Sequence, residues 1–491
     1  MFHIDLSSKR SKLAIRFFTY GVMTITVVGI TAICMLLALG YRFDRNSLSF
    51  QQGGLIQISS IPSGAGVSID GKQQGYNTPG KSDIAPGIHK IELQKDKYQP
   101  WSKSVSLAAS QLLWLNYAHL IPTEVKTIAA KTFDTVFDEK TSLDRKWMVV
   151  QPASDKPDLT LVDLQDPKKL ATSSIAIPES ILTKRDGAVR QFNIVEWDPS
   201  SRYLLVRYQA ADVVEYIRVD RSNPVQALNL TQTFQLPVSD IHFSANNADV
   251  FYAKNDSVLR RLDVGAKSIS EALVSNLDTF SVSPSGPVAF SAAKQHTAGD
   301  PASTYQYAGL YDGSKEVQVR EYGAGARLLV KYAEYFGHGY VAITDAGAPT
   351  AIIVRDPTEM GNKNNRVFAT LAMKSPALWL SFSDNGRMIV AQNGSSVTSY
   401  DLEIAQQYQY DVATVRPVTR PFTWLDDYYL ATDANQTVKT FEFDGTNAHD
   451  LTGAEEGYGV TFSVDNTYLY SLGKNAQTQK YQLQASKLII N

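Results

Sequence analysis

One unit recurs eight times between residue 143 and residue 470, and it restricts the fold of this chain more than any other feature. An apolar or aromatic residue leads into a short cluster of Asp, Asn, Ser or Pro, and a strand-like run rich in aromatics follows. The copies read LDRKWMVV at 143–150, WDPSSRYLLV at 197–206, FSANNADVFY at 243–252 and VSPSGPVAF at 282–290. They continue as YFGHGYVA at 335–342, FSDNGRMIV at 382–390, WLDDYYL at 424–430 and FSVDNTYLY at 462–470. Anchored on 147, 203, 250, 288, 340, 388, 428 and 468, the intervals run from 38 to 56 residues and average near 46. Periods of about 40 to 50 carrying only strand signals are those of propeller blades, each built from four short antiparallel strands. The fold class expected is therefore mainly β, with a propeller over residues 122–491. Eight copies predict eight blades, or seven if one terminal copy completes another's sheet.

The stretch from Phe382 to Ile389 resembles the blade turn of TolB-like and WD-type propellers, strongly in three or four copies and faintly in the others. Most of the 25 Tyr, 20 Phe and 6 Trp are assigned to blade interfaces. The Asp and Asn of each copy are read as turn formers that bond nearby backbone, not as acids or metal ligands. The last strand is expected at 487–490, pairing near an alternating segment at 123–128 so that both ends of the propeller share one blade.

Residues 17–39 form an uncharged run of 23, softened by Thr19, Thr24, Thr26 and Thr31. About 20 apolar residues cross a bilayer's hydrocarbon core as a helix. The run exceeds the roughly 7–15 apolar residues of a signal peptide, which favours an uncleaved anchor over cleavage at Ala38-Leu39-Gly40. Lys9, Arg10, Lys12 and Arg16 precede it and Arg42 and Arg45 follow it, a bias that places residues 1–16 in the cytoplasm and the rest outside. The only cysteine, Cys34, lies within the run, so no disulfide framework is available beyond it. The chain carries a net charge of −2, and its first 45 residues hold six Lys/Arg against two Asp, leaving −6 for the rest. That balance argues against nucleic acid as a partner.

After a polar linker at 40–52, period-two alternation with Asp70-Gly71, Pro79-Gly80 and Pro86-Gly87 turns predicts a small β-sandwich over 53–121. Ile58, Ser60, Pro62-Ser63-Gly64-Ala65, Val67, Ile69-Asp70-Gly71, Gly75, Thr78-Pro79, Pro86-Gly87, His89, Ile91, Tyr98 and Trp101 stand in an order that resembles the PEGA domain, with Ser63 in place of the family's glutamate. The resemblance implies a small β module of envelope proteins and no catalytic activity.

Within it, residues 75–82 match G-x-x-x-x-G-K-[ST] through Gly75, Gly80, Lys81 and Ser82. A phosphate-binding loop needs a helix beginning at the lysine, and Pro86 forbids one here. The match is read as a coincidence. His3, His89, His119, His242, His296, His338 and His449 show no ligand spacing, and no G-x-S-x-G elbow or calcium loop is present. Asp426-Asp427 and Glu455-Glu456 are adjacent pairs whose side chains diverge on extended backbone. No catalytic, cofactor or metal site is therefore expected. The function expected is a membrane-anchored, non-enzymatic envelope protein binding a protein or cell-wall polymer, the alternative being an exported hydrolase or lyase with its site in the propeller channel.

Overall fold

The computed structural model describes residues 9–38, 41–44, 49–297, 299–359 and 367–490. The chain divides into two compact units, Met1–Thr123 and Glu124–Asn491. His3 lies outside the described residues.

In the first unit, Lys9–Ala38 is one α-helix, about 45 Å long. Its segment Ile15–Leu36 is long and apolar enough to cross a membrane. Thr19, Thr24 and Thr26 each donate their hydroxyl to the carbonyl four residues earlier at 2.8 Å. These threonines therefore satisfy their own polar groups within the helix and cost the apolar run little. Within 40–52, read from sequence as a linker, Tyr41–Asp44 pairs antiparallel with Ser49–Gln52.

Two sheets follow. Gly54–Ile61 lies between Gly80–Ile84 and Leu112–His119, and Gly66–Ile69 and Gly87–Gln94 lie between Lys72–Asn77 and Trp101–Leu107. Alternate residues of these strands (Ile56, Ile58, Val67, Ile91 and Leu93) are fully buried. Asp70 and Gly71 both take positive φ, 50° and 76°, as a two-residue hairpin turn requires. The Ser60, Gly64-Ala65 and Thr78 landmarks meet in space. Thr78 exchanges backbone bonds with Gly64 and Ala65 (2.7 and 2.8 Å), and its hydroxyl accepts from Ala65 N–H and bonds Ser60 Oγ at 2.6 Å.

The second unit holds eight four-stranded sheets among the described residues, one of them with a fifth short strand. Blades 1 to 7 run in chain order, beginning with Asp138–Thr141, Arg190–Trp197, Asp240–Ser244, Leu277–Val282, Leu328–Tyr335, Trp379–Phe382 and Thr423–Trp424. Blade 8 is composite. Val460–Phe462, Tyr468–Lys474 and Tyr481–Lys487 come from the C-terminal end, and Lys126–Phe133 is its outer strand. Of the two blade counts expected from sequence, eight is observed. The last strand ends at Lys487, earlier than the expected 487–490, and Leu488 turns into the core between blades 7 and 8 beside Val125.

A continuous ring of apolar interfaces joins the sheets. Met148 and Val150 pack on Tyr470 and Leu483 of blade 8, whereas Val149 faces Ile194 and Val206 of blade 2. Leu430 meets Val390 of blade 6, and its neighbours Tyr429 and Ala431 meet Phe462 of blade 8. Second strands are thus buried on both faces, which is why they read as unbroken apolar runs and not as alternation.

The recurring cluster is a hydrogen-bonded turn. In blades 1, 6 and 8, Ser142, Ser383 and Ser463 each donate to an Asp or Asn two residues on (2.6–2.9 Å). Each also accepts the N–H of Trp147, Met388 or Tyr468 at 3.0 Å. The next residue is left-handed: Arg145, Gly386 and Asn466 have φ of 58°, 77° and 56°. The Asp and Asn of these copies act as turn formers. Among these positions Gly386 is glycine for a second reason, since a Cβ there would lie 2.3 Å from the Glu334 carbonyl oxygen.

Candidate functional site

The first strands of blades 4 to 7 wall a cavity of about 670 Å³. Phe280, Trp379, Phe382, Phe422 and Trp424 supply aromatic surface, with Leu329, Val330 and Leu380 between them. The small polar groups on the wall are engaged with the protein itself. Trp424 Nε1 donates to Ser381 Oγ at 3.0 Å, Ser281 Oγ donates to the Val330 carbonyl at 3.3 Å, and Gln392 Oε1 accepts Phe422 N–H at 2.9 Å.

Lys331, midway along Leu328–Tyr335, also lines the cavity. It makes no hydrogen bond or ion pair with any described residue. Burial alone lowers its pKa below the ordinary lysine value of 10.5, with no carboxylate opposing the shift. The carboxylates that share the lining, Glu334 and Asp384, are exposed to solvent, and Glu334 accepts from Tyr332 Oη at 3.2 Å.

The first strands of blades 1 to 3 are charged, and His242 among them is matched by carboxylates. His242 Nδ1 bonds Glu196 Oε2 at 2.8 Å and its Nε2 lies 3.5 Å from Asp240 Oδ1. Glu196 Oε1 also accepts Phe243 N–H at 2.7 Å. Burial pushes the imidazole pKa down, but the two carboxylates outweigh it and hold the value up at about 9. At neutral pH His242 is an imidazolium with both nitrogens committed, so it has no lone pair for a general base's work. Its edge meets Phe280 with ring centroids 5.3 Å apart. In blade 1, Glu139 accepts Gly459 N–H of blade 8, and burial chiefly, with Asp138 beside it, raises its pKa to about 7. Lys140 Nζ donates to the Val195 carbonyl at 2.8 Å.

None of the candidate site residues weighed from sequence lines this cavity. Gly75 is within the strand Lys72–Asn77, and Gly80, Lys81 and Ser82 open the strand Gly80–Ile84, so a strand stands where a phosphate-binding loop would begin its helix. Ser82 Oγ bonds Tyr76 Oη at 2.6 Å, and Lys81 is exposed. Asp426 accepts from Tyr428 and Tyr429 N–H at 2.8 Å, while Asp427 accepts from Asn385 N–H at 2.7 Å, so the two serve different turns. Glu456 pairs with Arg416. His89 bonds Asp70, and His338 bonds Asp356 at 2.9 Å. Among the described residues no group of three or more His, Cys, Asp or Glu side chains is arranged to hold a metal ion. Sequence reading missed Lys331 and the Glu196–His242–Asp240 group. The available signal was a lysine inside the apolar run LLVKYAEY and a histidine in DIHFS, each on a first strand.

Eight radial sheets joined in a ring define this unit as a β-propeller. The first unit is assigned more narrowly, because residues 54–120 match the PEGA domain family. No curated protein matches the chain. Among solved structures, the Dos1 propeller is 12% identical, with 74% of this chain and 96% of that one covered and a TM-score of 0.46. An oligogalacturonate lyase from Vibrio parahaemolyticus is 9% identical over 74% and 98%, with a TM-score of 0.39. The β-propeller domain of Myceliophteria thermophila Cps50 (Swd1) is 11% identical over 74% and 100%, with a TM-score of 0.38.

Proposed function

We propose that this protein is anchored in a cell membrane by its N-terminal helix, with its N-terminus in the cytoplasm, and that its exported propeller binds an envelope or cell-wall component. The apolar segment Ile15–Leu36 supports the anchor, and four basic residues before it against two after it support the orientation. The PEGA domain fits an envelope protein. The observation that carries the binding role is the aromatic cavity, whose wall combines apolar surface with one unpaired ammonium. Its serines are bonded to Trp424, to backbone or to turn residues, and none is paired with a base.

A photo-crosslinking residue in place of Leu378, on the cavity rim and 54% exposed, should capture a partner in intact cells. The same residue in place of Val225, in a short turn between the third and fourth strands of blade 2, should not. Equal capture at both positions, or none at either, overturns the reading. Protease added after removal of outer layers should degrade the chain beyond about residue 45, and protection of the propeller would reverse the orientation.

The second reading, an exported hydrolase or lyase, would use the carboxylate–histidine–carboxylate group beside Phe280 with the His242 imidazolium as a general acid. His242→Gln separates the two. It abolishes turnover in an enzyme and leaves capture at position 378 intact in a binding protein.

A further inference from the structure

The cavity differs from an ordinary blade interface in one respect, which is that its cation has nothing to neutralise it. Elsewhere in this propeller several buried or half-buried cations meet carboxylates, and Lys140 ends on a backbone carbonyl. Arg387 bonds Asp401 at 2.7 and 3.0 Å, Arg420 pairs with Asp433, and His242 lies between Glu196 and Asp240. Lys331 stands alone in a low-polarity wall, where an unmatched charge costs free energy. We propose that the cavity binds a monocarboxylic acid on an aromatic or aliphatic body, the carboxylate meeting Lys331 and the body lying against Phe280, Trp379 and Trp424. This rests on the binding reading above and names its ligand class.

Three features decide the chemistry. The unpaired ammonium calls for an anion, and a charge-assisted bond formed out of water is stronger than a neutral one. The wall is aromatic and aliphatic, so the remainder of the ligand is apolar. The wall's hydroxyl and amide groups at Ser281, Ser381 and Gln392 are already engaged. A peptide entering by its C-terminal carboxylate would bring backbone amides that find few partners here, and buried amides without partners are costly. A simple acid brings none. At about 670 Å³ the cavity lies within the range of small-molecule sites. The lowered ammonium pKa agrees with this, because a bound carboxylate restores the counter-charge the site lacks.

The test uses the full chain in lipid nanodiscs, with empty nanodiscs as the blank, and titration calorimetry with 4-phenylbutanoate and its neutral amide. The acid should bind at least about tenfold more tightly than the amide, the scale of one hydrogen bond to a charged group. Lys331→Met should erase that difference while the protein still unfolds cooperatively. N-acetyl-Ala-Ala-Phe, a peptide with a free carboxylate, should bind more weakly than the simple acid. Equal affinities for acid and amide overturn the proposal, as does a preference that survives Lys331→Met, and tighter binding of the peptide overturns the ligand class. Capture at position 378 without an acid preference would sink this inference alone, whereas absence of capture would sink the binding reading beneath it.

Discussion

The channel of this propeller is lined by two arcs that solve the same packing problem differently. First strands of blades 1 to 3 carry Asp138, Glu139, Lys140, Glu196, Asp240 and His242, and the charges of His242 and Lys140 end on named partners nearby. First strands of blades 4 to 7 are aromatic and aliphatic, with Lys331 left unmatched. Charged residues do not by themselves mark a site. In the first arc they end on one another or on backbone groups and become part of the wall, whereas a single uncompensated charge in the second leaves room for a ligand to complete it.

The largest effect is expected at the seam of the charged arc, where blade 8 meets blade 1. Deleting residues 484–491 removes Ala485 and Leu488 from the apolar clusters and four of the seven paired positions on Lys126–Phe133. Cooperative thermal unfolding of the propeller should be lost, because an opened ring exposes sheet edges and apolar faces. An unchanged melting temperature would mean that the seam does not hold the ring. In the other arc, Gly386→Ala forces a methyl group against the Glu334 carbonyl, 2.3 Å away, at φ 77°. It should cost roughly 2 kcal/mol in denaturant unfolding. Arg145, Ser201 and Asn466 already carry a Cβ in the corresponding turn at φ 58°, 58° and 56°, so the loss reports the clash with Glu334 and not the backbone angle alone.

Titration sharpens the contrast, since the arcs respond to pH in opposite directions. Glu139 and His242 both have folded-state pKa values above their ordinary ones, about 7 against 4.5 and about 9 against 6.5. Stability tied to Glu139 is present below pH 4.5 and lost as pH rises through 7, and that tied to His242 is present below 6.5 and lost through 9. Lys331 is lowered from 10.5, so the stability it withholds at neutral pH returns as pH climbs toward 10.5. Lys331→Met should therefore raise the melting temperature at pH 7 by a few degrees, and a fall would show that the ammonium has a partner. Glu139→Gln should stabilise the protein at pH 8 relative to the parent and do less at pH 5, as seen in paired melts. Lys81→Ala, far from both arcs in sequence and fully on the surface of its strand, should change stability by less than about 0.5 kcal/mol and leave any nucleotide affinity unaltered.

Much of the fold was legible because the blade turn repeats its chemistry. Ser142, Ser383 and Ser463 with their Asp or Asn partners are a local hydrogen-bond pattern, and local patterns are written in consecutive residues. Gly64-Ala65 and Thr78 in the PEGA domain were legible for a related reason, being few and in fixed order. The final strand was misplaced by several residues because Leu488 and Ile490 look like strand residues, although Leu488 is buried by a turn into the core between two blades. Of the cavity, only Lys331 inside its apolar run left a trace in the sequence. Phe280, Lys331, Trp379 and Trp424 come from four blades about 45 to 50 residues apart, and each sits in a strand whose own pattern announces only burial. Glu196 and His242, 46 residues apart, meet only because adjacent first strands lie side by side.

The composite eighth blade also sets a schedule for synthesis. Lys126–Phe133 leaves the ribosome some 350 residues before Tyr481–Lys487, the strand it pairs with. At ordinary elongation rates of about 5–20 residues per second, that is a delay on the order of tens of seconds. Throughout it the nascent chain carries a strand with no mate, and a chain stopped short of residue 481 never acquires one. Lys126 and Lys131 lie on that waiting strand, charges of the kind that discourage an idle edge from pairing with another chain.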